Sequence, residues 1–178
     1  MKRSSLFNKI EASEAENLAL KHLQFISGLP VRTEPFIKRN FFNNGQFKFY
    51  FWSGFNSLIL NPIPEEIPSF EGNLFKVQLT KKMYDSEILT ELRDPSPFSI
   101  EEFAAIIKTL LERKKDGAKG DLLENRYANI FYLQIGNNSK GHQAAVLTRC
   151  YYDNRQWGFY ICDLVGWWLR GDVVFYRR

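Results

Sequence analysis

The chain predicts an α+β fold: a single domain in which a twisted antiparallel sheet, ending in a C-terminal β-meander, carries two amphipathic helices packed on one face. Three observations lead there. Strong helical periodicity marks two stretches, Glu11 to Ser27 and one that starts at Ser99 and stops before Gly117. Strand alternation and short turn signals occupy most of the remainder. The resulting order of helix, strands, helix and a final block of strands belongs to α+β rather than to alternating α/β proteins. At 178 residues, 44% apolar and 25% charged, the chain has the size and balance of one globular domain. Such a length buries enough surface to fold without a disulfide or metal staple. Residues 1–178 are therefore read as one domain, with residues 1–10 as a flexible N-terminus.

The first helix is predicted from Glu11 to Ser27. Ala12, Ala15, Ala19, Leu23 and Ile26 recur at intervals of three and four, acidic residues sit at its start, and Gly28 with Pro30 would stop it. Val31 to Asn44 shows no period and reads as a connection. From Gln46 to Trp52 the pattern alternates, with Phe47, Phe49 and Phe51 on one face and Gln46, Lys48, Tyr50 and Trp52 on the other. Ser53 to Asn56 reads as a turn, Ser57 to Leu60 as a short returning strand, and Asn61 to Pro68 as a proline-rich loop. A strand at Leu74 to Leu79 and a short helix at Asp85 to Leu92 follow. Ser99-Ile100-Glu101-Glu102 fits a capping box, and Ile100, Phe103, Ile107, Leu110 and Leu111 make the apolar stripe of the second helix. Four strands close the chain: Ala128 to Ile135, Gln143 to Tyr151, Trp157 to Leu164 and Gly171 to Tyr176.

No stretch approaches the ~18 apolar residues of a membrane helix. The basic start Met1-Lys2-Arg3 is followed by no apolar run, so no secretory signal is read. A soluble, cytoplasmic protein with no membrane partner is expected, although a specialised export system would leave no mark in these residues. Cys150 and Cys162 flank a predicted hairpin turn. If Asp153 to Gln156 form its loop, Cys150 faces Phe159 and Cys162 faces Leu147, which puts the sulfurs on opposite faces of the sheet. Reduced thiols are the expectation. Net charge is +4, but Pro62 to Phe103 holds nine acidic and four basic residues, −5, leaving +9 elsewhere. Basic clusters such as Lys38/Arg39 and Lys114/Lys115 could attract phosphate or an acidic protein.

The chain carries no Gly-rich phosphate loop, dinucleotide fingerprint or Gly-x-Ser-x-Gly elbow. His22, His142, Cys150 and Cys162 show no zinc spacing, and neither a metal nor a cofactor is expected. One stretch nonetheless has the composition of a catalytic sheet. Gly141-His142 opens an apolar strand, Trp157-Gly158-Phe159-Tyr160-Ile161-Cys162-Asp163 follows, and Gly166-Trp167-Trp168 with Gly171 to Arg177 closes the region. It resembles the C-terminal sheet of papain-like and transglutaminase-like thiol hydrolases over about 40 residues. The resemblance implies His142 as base, Asp163 as its orienter and, with no cysteine before His142, Ser53 as a substitute nucleophile. In the hairpin register above, however, Asp163 faces Val146, four positions from His142 or ~13 Å away. That is too far for an orienting hydrogen bond. No family assignment follows: a local coincidence of a β-meander is the first reading, an inactive relative the second and a working hydrolase the last.

Aromatic residues make up 16% of the chain, and Tyr151, Tyr152, Trp157, Trp167 and Trp168 cluster around the last hairpins beside arginines. Trp157, Trp167 and Trp168 with Arg155 and Arg170 have the composition of an interface hot spot. The adjacent Trp167 and Trp168 would point to opposite faces of an extended chain, so one of them should be exposed. The sequence thus predicts non-enzymatic recognition of a macromolecule, protein first, at the second face of the sheet or at this hairpin end. Nucleic-acid binding through Lys38, Arg39, Lys114 and Lys115 is the alternative, and the hydrolase-like constellation a further one.

Overall fold

Seven strands pair into one sheet in the computed structural model, which describes residues 20–43, 45–93, 95–115, 121–123, 127–135, 142–151, 156–162, 164 and 166–177. In chain order the elements are β1 (Leu23–Thr33), β2 (Phe36–Ile37), α1 (Lys38–Phe42), β3 (Lys48–Phe51), β4 (Glu66–Ile67), β5 (Phe70–Leu79), β6 (Met83–Tyr84), α2 (Asp85–Glu91), α3 (Ile100–Lys115), β7 (Asn129–Ile135), β8 (His142–Tyr151), β9 (Gln156–Cys162), β10 (Trp167–Trp168) and β11 (Val173–Tyr176). The large sheet runs β1-β5-β11-β7-β8-β9-β3. Helices and a multi-strand sheet share the chain as the sequence predicts, but the sheet is mixed rather than antiparallel. β11 lies parallel to β7, and β3 parallel to β9. The meander stops at β9. The chain then leaves the sheet through β10 and returns with β11 inserted between β5 and β7. A central strand is buried on both faces and must be apolar throughout, as Val173-Val174-Phe175-Tyr176 is.

Both faces of this sheet are covered, which corrects the expectation of helices on one side only. Phe131, Leu133, Val173 and Phe175 pack against Phe103, Ile107, Leu110 and Leu111 of α3. On the other side Ile130, Tyr132, Val174 and Tyr176 meet Ile88 of α2, Met83 of β6 and Trp168 of β10. Alternation along each strand sorts its residues between the two cores. Helix α3 begins as its capping box predicts. The Ser99 N–H donates to the Glu102 carboxylate at 2.8 Å, and the Glu102 N–H donates to the Ser99 hydroxyl at 3.2 Å.

Two local expectations fail. The N-terminal helix was predicted to reach Ser27, but residues 20–22 are not helical and Leu23–Thr33 is strand β1; residues 11–19 of that prediction lie outside the described residues. β1 pairs antiparallel with β5 from Leu23↔Leu79 to Thr33↔Phe70, with a bulge between Phe25 and Ser27. The bulge leaves Ile26 out of register and exposed, so Leu23 and Ile26, three apart, do not share a buried face. Pro30 sits inside this strand rather than ending a helix, and it is tolerated because β1 is an edge of the sheet. The predicted returning strand at Ser57 to Leu60 is instead helical. A turn at Ser53–Phe55 runs into a π-helical segment, Asn56–Leu60, that buries Ile59. Gly54 permits this, since a Cβ there would lie 2.9 Å from Ile161 of β9.

The β8–β9 hairpin forms with a register two residues from the predicted one: Cys150 pairs with Trp157 and Cys162 with Ala145. Cys162 is therefore offset by five positions, ~16 Å along the strand, from Cys150. It forms no disulfide. No helix among the described residues is long and apolar enough to cross a membrane.

Candidate recognition surface

Strands β6 and β10 form a two-stranded patch over the α2 side of the sheet, pairing Trp167 with Tyr84 and Trp168 with Met83. Alternation divides the four residues. Met83 and Trp168 point down into the core, and Trp168 is only 5% exposed; Trp167 and Tyr84 are each 52% exposed. The split between the adjacent tryptophans is the one their spacing requires. Lys82 lays its ammonium 3.9 Å from the centroid of the Trp167 ring, which holds the ring in place and puts a cation on its face.

A buried carboxylate anchors this patch. Asp85, fully buried in the first turn of α2, accepts a hydrogen bond from the Trp168 indole N–H at 2.7 Å and another from the Tyr132 hydroxyl at 2.9 Å. Both bonds converge on Oδ1, and Oδ2 has no hydrogen-bond partner among the described residues. Burial pushes the Asp85 carboxyl above the usual carboxylate range, while the hydrogen bonds from Trp168 and Tyr132 pull it partly back. Burial and the adjacent Asp85 charge in turn push the Tyr132 phenol up. The turn after β10 is shaped by a second buried carboxylate. Asp172 accepts the backbone N–H groups of Ala128 at 2.8 Å and Leu169 at 2.7 Å. Gly171 adopts φ +98° there, and a Cβ would lie 2.8 Å from the Tyr127 ring. Leu169 and Arg170 are consequently displayed outward beside β10.

Of the five residues singled out in the sequence, Trp167 and Arg170 are exposed. Trp157, at 4%, belongs to the core and pairs with Phe49 and Cys150. Trp168 is buried as well, and Arg155 lies outside the described residues. Their partners on the surface, Tyr84, Lys82 and Leu169, were missed because a two-residue strand leaves no periodic signal. The basic cluster is partly spoken for. The Lys38 ammonium donates to the carbonyls of Leu60 at 3.1 Å and Ile63 at 2.7 Å, and Arg39 pairs with Glu65 at 3.4 Å. Lys114 and Lys115 end α3. The residues of the hydrolase-like reading sit as follows. His142 pairs with Ile135 at the start of β8, Ser53 leaves β3 two strands away, ~10 Å by strand spacing alone, and Asp163 lies outside the described residues.

A cleft and a buried lysine lie outside this patch. An open cleft of about 560 Å³ lies between Pro64, Phe70, Ser99, Glu101 and Arg177. Its guanidinium is engaged by the Glu102 carboxylate and the Pro97 carbonyl, so it fastens the C-terminal strand to α3. Lys76 is buried, and burial lowers its pKa despite the nearby Asp121 charge. Its ammonium donates to the Asp121 carbonyl, clamping the segment after α3 onto the sheet. Among the described residues no three side chains are grouped to hold a metal ion. Compared with known proteins, the chain matches no family model, no curated sequence and no solved structure.

Proposed function

We propose that the protein is a non-enzymatic recognition module whose partner is a protein bearing carboxylates, docked on the β6/β10 patch. The observation that carries this reading is the half-exposed pair Trp167 and Tyr84, directly opposite one another, with Lys82 on the indole face. An isolated exposed Trp is ordinary. A pair of rings on adjacent strands, flanked by exposed Leu169, Lys81 and Arg170, combines apolar area with positive charge. Interfaces draw their binding energy from such a combination. The side chains are also preorganised, because Trp168 and Asp85 fix the strands that carry them, so little ordering entropy remains for binding.

The experiment begins with a photo-crosslinking side chain at position 169, which leaves Trp167 and Tyr84 intact. The captured protein is then purified, and its affinity is measured directly. Trp167→Ala should weaken that affinity by more than ~2 kcal/mol with the melting temperature nearly unchanged. Affinity should fall as salt rises, because Lys82 and Arg170 face carboxylates. An unchanged affinity for Trp167→Ala would refute the assignment.

A further inference from the structure

We infer that the β3 edge of the sheet is a second binding site, for single-stranded nucleic acid, independent of the β6/β10 patch. Strand β3 is the outermost strand, beside β9 and then β8. Its Phe49 and Phe51 turn inward against Phe159. On its other face Tyr50 and Trp52 are both 49% exposed. Trp52 meets Tyr50 edge to face at 5.9 Å and lies 4.9 Å from Tyr160 of β9. Three rings thus form a continuous row on one sheet face. Phe51 is stacked on Phe55 underneath, 5.5 Å away and within 9° of parallel, so the strand carrying the rings is pinned.

Charge selects the occupant. None of β3, β8 or β9 contains an Asp or Glu, whereas Lys48 and Arg149 lie within them. Tyr50, Gly158 and Arg149 occupy one register row across the three strands. A row of rings with Lys48 on the same strand face, Arg149 in the register row of Tyr50 and no carboxylate on these strands suits a chain of bases joined by phosphates. Every base has a face to stack, and every linkage has a charge to neutralise. A neutral sugar would gain nothing from the charge. A duplex keeps its base faces covered, so a flat sheet surface cannot reach them.

The test is binding of fluorescent oligo(dT) and oligo(U) of about 12 nucleotides to the full chain. Binding should weaken as salt rises from about 50 to 200 mM, with a slope near −1.4 in log–log form for two neutralised phosphates. Trp52→Ala should lose about tenfold or more in affinity, while Trp52→Phe keeps a ring and most of the binding. Lys48→Glu should weaken binding and flatten the salt slope, and Trp167→Ala should bind like the wild type. Several results would overturn the inference: no binding at about 100 µM, unchanged affinity in folded Trp52→Ala, or a duplex bound equally well. So would loss of the Trp167-dependent protein partner on changing Trp52, because β3 would then belong to the protein-docking surface.

Discussion

Removing the Asp85 carboxylate should loosen the strand pair that displays Trp167. In Asp85→Ala the buried indole N–H of Trp168 and hydroxyl of Tyr132 lose their common acceptor. A buried donor left unsatisfied costs ~1–3 kcal/mol, so two cost ~2–6 kcal/mol. Part of this is offset because a desolvated charge disappears as well, and a net loss of about 2–4 kcal/mol is expected at neutral pH. Asp85→Asn keeps an oxygen at Oδ1 and should lose less. The pH dependence separates the charge from the hydrogen bonds. The Asp85 carboxyl is raised on folding, so the folded state binds its proton more tightly than the unfolded chain does. That contribution is complete below the ordinary value of 3.8 and is lost as pH rises through the folded value. Each tenfold gap in proton affinity corresponds to ~1.4 kcal/mol. Urea unfolding of wild type and Asp85→Asn across a pH series measures it, since the other carboxylates cancel in the difference. The stability advantage of wild type over Asn should be greatest in acid and shrink towards neutral pH. A difference independent of pH, or one growing with pH, would refute the reasoning.

Three further expectations concern stability and chemistry. Leu110 is fully buried under the sheet, so Leu110→Ala should cost ~2–5 kcal/mol, against about 1 kcal/mol for Ser99→Ala at the helix cap; equal effects in chemical denaturation would contradict the packing of α3. Gly171→Ala meets both a positive φ and the Tyr127 ring, and should lower stability by more than ~1 kcal/mol. Intact mass under non-reducing conditions should show Cys150 and Cys162 unlinked, as a mass lower by two hydrogens would disprove.

Much of the candidate surface was legible in part. The adjacent Trp167 and Trp168 had to split between faces in any extended chain, and they do. Which faced outward could not be read, because that depends on β6, a partner more than eighty residues earlier. Trp157 looked like a surface aromatic among arginines, yet β3 and β8 flank it and the Phe49 and Phe159 cluster closes around its face of the sheet. Lys38 looked available for a phosphate, whereas the carbonyls that hold it come from the last residue of the π-helical segment and the loop after it.

Features whose cause lies within a few residues were legible before any tertiary contact was known. These are the capping box that starts α3, the alternation that makes β3 two-faced, the hairpin of β8 and β9, and the inability of Cys150 and Cys162 to meet across it. Tertiary structure alone decided that Leu23–Thr33 is a strand, that β11 enters between β5 and β7, and that both faces of the sheet are covered. Periodicity records which side of an element is apolar, and it is a local property. Pairing and burial depend on residues brought from far along the chain. Beside β5, Leu23 to Phe25 and Ser27 to Thr33 pair as a strand, with Ile26 set out of register at the bulge.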